Sequence, residues 1–315
     1  MKATVHKVSL QTDCHFGKRL PPQHLGFFLA EIPVAIQQSI SMAFRNRSST
    51  PGRHPQWLDR ASDIRFVDHE GNGEVSLFFE APTLGEAASE VYQQGELWPS
   101  RPDENDTGFD LLGDVLADMS ADNADSDHFD ATLLRRLLRF KRVFAGPYSE
   151  IDFTSRRFKQ RHPARLSPLT LETAEGFLGR TPASSRVRLV GVLDMIRVST
   201  QTFGIRLDSG EEVRGVLPEG SIDDVKQLLN RRVLLLGSAV YRASGRLLRV
   251  DAESVALGEN EPALWSKMPQ PGTSRLDLGK LRKLQGPRSG MAAIMGRWPG
   301  DESDDDIAVA LEKLS

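Results

Sequence analysis

The run Arg186-Val187-Arg188-Leu189-Val190-Gly191-Val192-Leu193-Asp194-Met195-Ile196 alternates as one long strand with a glycine at its middle. Thr202-Phe203-Gly204-Ile205-Arg206-Leu207 follows, then a turn at Asp208-Ser209-Gly210, then Glu211-Glu212-Val213-Arg214-Gly215-Val216-Leu217. Ser221 reads as the N-cap of a short helix, with Asp223 and Asp224 in its first turn and Val225, Leu228 and Leu229 on one face. A fourth strand spans 232–241. The turn Ala243-Ser244-Gly245 leads into a fifth, Leu247 to Ala252.

Three strands, a helix and two more strands is the element order of an oligonucleotide/oligosaccharide-binding barrel, so 186–256 resembles the OB-fold. Gly191 and Gly237 fall mid-strand, where a small barrel must bend sharply. An SH3-like barrel is the competing arrangement. Nucleic-acid binding by such a barrel needs aromatic platforms beside a positive groove. The candidates are Phe203 and Tyr241 with Arg188, Arg206, Arg214 and Arg246. Asp194, Asp208, Glu211, Glu212 and Asp251 are interleaved with them, a pattern that equally describes a solvated strand exterior.

Upstream, residues 1–165 predict an α+β domain, giving the chain an α+β class overall. Val5, Lys7, Ser9 and Gln11 alternate with His6, Val8, Leu10 and Thr12 as a first strand. Pro21-Pro22 opens a helical pattern through Phe44, which Pro33 is expected to kink or split. Two alternating runs around Glu70-Gly71-Asn72-Gly73 predict a hairpin, and a short helix follows from Leu84 to Tyr92. Residues 103–130 hold ten acids and no Lys or Arg, after which Arg135, Arg136, Arg139, Lys141 and Arg142 crowd one segment. Helices are expected at 109–119 and 129–144, lying side by side with their charges opposed. The sharper alternative makes the basic 131–165 region, with the barrel, a surface for DNA or RNA. His162-Pro163, Ser167-Pro168 and Thr181-Pro182 mark 162–185 as a linker.

The 315 residues fit two domains, and a net charge of −3 implies no bulk attraction to nucleic acid or anionic membrane. One cysteine, Cys14, excludes an internal disulfide framework and fits a reducing cytoplasm. The first ten residues lack the apolar region of a signal peptide, and the greasiest run, 25–36, is too short to span a bilayer. No GxGxxG, Walker A, HExxH or GxSxG motif occurs, and the seven histidines form no i, i+4 pair. The sequence therefore points to a non-enzyme with no metal or cofactor.

The end of the chain is distinctive. Residues 258–300 are interrupted by Pro and Gly and carry seven Lys or Arg against three acids. Without a periodic core of its own, this stretch either wraps the protein or waits for a partner. Gly296-Arg297-Trp298-Pro299-Gly300-Asp301-Glu302-Ser303-Asp304 then precedes a short amphipathic helix with Ile307, Leu311 and Leu314 on one face.

This string of about twenty residues resembles the C-terminal tails of small bacterial antitoxins paired with PIN-domain ribonuclease toxins. The resemblance implies that 258–315 is an extended tail ending in a docking helix. It also implies that the partner is a PIN-type nuclease, whose clustered carboxylates hold Mg²⁺. Arg297 would plug that negative pocket, Trp298 held by Pro299 would anchor the turn, and Ile307, Leu311 and Leu314 would fill a groove.

Overall fold

His6, Val8 and Leu10 point to one side of strand β1 (Ala3–Thr12), and all three are buried. This computed structural model describes residues 3–14, 16, 19–49, 52, 54–72, 74–92, 101–218 and 222–272. Residues 1–272 form one compact unit, and 273–315 fall in a second that lies outside the described residues.

After β1 come α1 (Pro22–Arg45), α2 (Gln56–Ala61), β2 (Arg65–Asn72) and β3 (Glu74–Pro82). Next are α3 (Leu84–Ala87), α4 (Ser89–Tyr92), α5 (Gly108–Ser120), α6 (Ala131–Leu137) and α7 (Lys141–Phe144). The first part closes with β4 (Tyr148–Phe153), β5 (Ala164–Leu166) and α8 (Pro168–Arg180). Its sheet has the order β2-β3-β1-β4-β5, and every neighbouring pair is antiparallel. That order places β3 between β1 and β2, the split β-α-β connectivity. Register aligns Val8 with Leu77 and Phe153, and Leu10 with Val75 and Ile151, so one face is continuously apolar. The chain is thus of the α+β class.

Helix α1 departs from expectation in two ways. It runs unbroken through Pro33, and its 24 residues are long and apolar enough to cross a membrane, unlike the shorter run anticipated. Its apolar stripe is nonetheless taken up by the core: Phe28, Ile32, Ala35, Ile36 and Ile40 have no exposed surface. An interior proline costs about 3 kcal/mol. Burial of those side chains, at about 1.5–3 kcal/mol each on both sides of it, outweighs that cost.

The expected 129–144 helix is broken by a 3-10 turn at Leu138–Phe140, which lets Leu137, Phe140 and Val143 all reach the core. The segment expected as a linker, 162–185, instead contains β5 and α8. Ser167 caps α8, Pro168 sits at its first turn, and Leu171, Ala174 and Phe177 bury its inner face. The prolines there start a helix rather than punctuate a loop.

The second part contains β6 (Ser185–Arg197), β7 (Thr202–Arg206), β8 (Glu212–Val216), α9 (Ile222–Lys226), β9 (Arg232–Tyr241) and β10 (Leu247–Leu257). These strands close into a barrel in the order β10-β8-β7-β6-β9. All pairs are antiparallel except β10 with β8. Leu189, Leu193, Phe203, Ile205, Val213, Val233, Leu235 and Val250 fill its interior. A Cβ on Gly191 would lie 2.6 Å from the Arg206 carbonyl oxygen, and one on Gly237 would lie 2.4 Å from that of Asp251. These are the points where neighbouring backbone presses in.

The first fifteen residues of the expected tail wrap the barrel. Ser266 Oγ accepts from the Asp208 N–H at 2.8 Å, and the Tyr241 hydroxyl donates to the Gln270 carbonyl at 3.1 Å.

Candidate functional site

The acidic stretch begins with a cap. Thr107 and Asp110 form a reciprocal capping box at the start of α5, and the Thr107 hydroxyl also meets His6 Nε2 at 3.1 Å. Asp110 and Asp114 are four residues apart and share one face of α5, with Asp106 just ahead of its N-cap. Arg156 and Arg157, in the loop after β4, lie across that face. Arg156 Nη2 is 2.6 Å from Asp106 and 3.2 Å from Asp103, while Arg157 Nη2 is 2.6 Å from Asp114 and its Nε 3.3 Å from Asp106.

Burial separates the three carboxyls. It pushes Asp106 and Asp114 above the ordinary carboxylate range despite their arginines. At Asp110 burial is outweighed by hydrogen bonds from Ser155, the Arg157 N–H and Thr107, so that carboxyl is held low.

The following loop, 122–130, meets the barrel. Arg246 Nη1 lies 2.5 Å from Asp125, Arg242 Nε 2.8 Å from Asp127, and Arg249 Nη1 3.2 Å from Asp130. Ser244 Oγ adds a 2.7 Å bond to Asp125. All four barrel residues come from the β9–β10 hairpin, so one hairpin grips one loop. Asp130 also caps α6, accepting from Thr132 and Leu133 N–H.

The charge pattern expected from sequence is corrected here. Asp103, Asp106 and Asp114 are met by the Arg156–Arg157 loop, Asp125, Asp127 and Asp130 by the barrel hairpin and Asp122 by Arg180 of α8. Arg136 and Arg139 instead pair with Glu31 on α1, and Lys141 with Glu175 on α8. The basic helix turns toward its own domain because Glu31 is held nearly buried beneath it.

Two cavities open along this seam. One of about 560 Å³ lies among α1, α5, the Arg156–Arg157 loop and the barrel; the other, of about 600 Å³, lies against the β9–β10 hairpin and the 268–271 segment. Asp127 and Arg214 line both. Among the described residues no three His, Cys, Asp or Glu side chains are grouped to hold a metal ion.

The residues proposed for nucleic acid do not assemble into one surface. Phe203 and Tyr241 are 0% and 1% exposed, so neither is a stacking platform. The far end of the Phe203 ring abuts Gly215, and the Tyr241 hydroxyl is engaged by Ser185 and Gln270. Alternation alone could not say which face of each strand turns inward. Arg188 is paired with Glu261 at 2.7 Å, Arg206 with Asp194 at 3.7 Å, and Arg246 with Asp125. Among the described residues, the ion pairs of Arg214 are 3.9 Å contacts, to Asp127 and Glu212. Arg297, Trp298, Pro299, Ile307, Leu311 and Leu314 lie outside the described residues.

Sequence reasoning missed the Arg249–Asp130 pair, the buried His6 and the half-exposed Trp265, whose ring lies 5.5 Å from the Arg188 guanidinium. Only Asp130 left a signal, as an N-cap residue directly before a helical run. The chain matches no protein-family model, and no curated protein or solved structure is recognisably similar to it.

Proposed function

We propose that the chain is a cytoplasmic, non-catalytic binding protein of antitoxin type, which inhibits a PIN-type ribonuclease through its C-terminal segment. The observation that carries this reading is the string Gly296-Arg297-Trp298-Pro299-Gly300 followed by acids and the apolar series Ile307, Leu311 and Leu314. A guanidinium offered to a carboxylate-lined, Mg²⁺-binding pocket replaces the metal's charge and pairs with a carboxylate bidentately. The amphipathic helix is too short to persist alone in water and gains stability in a groove.

The rest of the chain serves in this reading as a scaffold. Its barrel is read as OB-type, supported by the order first-second-third-fifth-fourth around the closure and the helix between the third and fourth strands. Fold alone assigns the barrel no ligand, and the burial of Phe203 and Tyr241 removes the aromatic support for oligonucleotide binding.

The test is co-expression with a PIN-domain nuclease encoded beside this chain, followed by co-purification and an RNA-cleavage assay. Inhibition that Arg297→Ala relieves supports the reading. Inhibition unaffected by Arg297→Ala and Trp298→Ala together, or no complex at all, overturns it.

A further inference from the structure

The 560 Å³ cavity has the makeup of a small-ligand pocket. Its size falls within the range of about 300–1,000 Å³ found for such sites, and it sits where two folded parts meet. Met42, Ala43, Pro102 and Leu111 contribute apolar surface. Three polar groups on its lining have no hydrogen bond to protein among the described residues.

The first is Arg214. Its nearest carboxylates are both at 3.9 Å, beyond hydrogen-bond range, and Asp127 is already bonded by Arg242. The other lining carboxylates are likewise taken: Asp103 and Asp106 by Arg156, Asp114 by Arg157. Four arginines and four aspartates line the cavity, and Arg214 is held by none of those aspartates within hydrogen-bond range.

The second is Nε2 of His128, whose Nδ1 is fixed against Asp118 at 2.7 Å. The third is the side-chain amide of Asn46. This residue ends α1 in the left-handed conformation, φ 52°, with its N–H and C=O occupied by Met42 and Arg249.

We propose that this cavity binds a nucleoside monophosphate. A planar guanidinium with unengaged donors suits a phosphate. An apolar floor accepts the flat face of a base, and an amide can read a base edge through one donor and one acceptor. His128 adds a further hydrogen-bonding group to the sugar-phosphate portion. The proposal is independent of the C-terminal segment.

The experiment uses the full chain. AMP, GMP, CMP, UMP and inorganic phosphate are titrated in turn, with heat and the His128 ring NMR signals as readouts. At least one nucleotide is expected to bind and move those signals, and to bind at least about tenfold more tightly than phosphate. Arg214→Ala should weaken it about ten- to a hundredfold, the loss of one charge-assisted contact. Asn46→Gly retains the left-handed turn while deleting the amide, and should reduce the discrimination among bases. Both variants should melt nearly as the parent does, since neither side chain hydrogen-bonds to described protein and the two ion pairs of Arg214 are long and half-exposed. Absence of binding by all four nucleotides overturns the proposal. So does binding that Arg214→Ala leaves intact, or phosphate alone binding as tightly as any nucleotide.

Discussion

Arg249 of the last barrel strand and Asp130 at the head of α6 meet at 3.2 Å, with side chains only 6% and 4% exposed. Each is otherwise satisfied. Asp130 accepts from Ser48 Oγ at 2.6 Å and from helix N–H groups, and Arg249 donates to the Asn46 carbonyl at 2.7 Å and to Asp251 at 2.8 Å. A buried pair with this many bonds is costly to break from one side. Arg249→Met should destabilise the protein by about 3–5 kcal/mol, a fall in Tm of roughly 6–20 °C for a unit of this size. Adding Asp130→Asn should recover part of the loss. Thermal unfolding of the two single variants and the double variant measures the coupling.

Acid should weaken the same bond. Arg249 and the Ser48 and Leu133 donors overcome burial to hold the Asp130 carboxyl below its ordinary range. A depressed carboxyl stabilises the fold above its unfolded value of about 3.9, and that stability is lost as pH falls toward the folded value. Asp130→Asn should therefore flatten the acid limb of the stability curve below about pH 4, as measured by denaturant midpoints.

His6 acts at higher pH. Burial holds its ring below the ordinary value of 6.5, against opposing contributions from the Thr154 carbonyl and Asp110. Below that pH the unfolded chain takes up a proton that the folded chain refuses. Stability should decline on acidification from pH 6.5 at up to about 1.4 kcal/mol per pH unit, and level off once the folded ring titrates. His6→Gln should remove this slope, which urea titrations at pH 7.5, 6.5 and 5.5 would resolve.

Gly215 faces Phe203 inside the barrel, and a Cβ there would stand 2.1 Å from the ring. Gly215→Ala should overpack the interior and cost about 1–3 kcal/mol. Gly176, whose Cβ would meet nothing within 4 Å, is the control. There, alanine should be neutral or stabilising by up to about 1 kcal/mol in the thermal melt.

For the C-terminal segment, Trp298→Ala should weaken a nuclease complex about ten- to a hundredfold, the usual effect of deleting a buried aromatic anchor. The melting of the protein alone should hardly change. A drop of several degrees with inhibition intact would assign the indole to internal packing.

The fold was legible wherever period and punctuation agreed. Strands of the barrel, the 65–82 hairpin and the acidic helix all follow from alternation, turn residues and caps. Prolines misled in both directions: Pro33 sits within a continuous helix because the core grips both flanks, and Pro168 begins a helix instead of a linker. The seam was the least readable part. Asp130 and Arg249 are 119 positions apart, and no local pattern records that one hairpin closes on one loop. Local charge pairing suggested that the acidic helix lies against the basic one, when its partners come from the Arg156–Arg157 loop and those of the following loop from the β9–β10 hairpin.

That same separation sets a timetable. A ribosome adding about 5–20 residues per second needs roughly 6–24 s to travel from Asp130 to Arg249. In that interval every strand and helix of the first part has been made, while the acidic loop still lacks the three arginines that will neutralise it. Nascent chains halted before the β9–β10 hairpin should therefore carry this loop open to water. The seam closes only after the whole of the first part has been made, and the 258–272 segment's contacts with the barrel come later still.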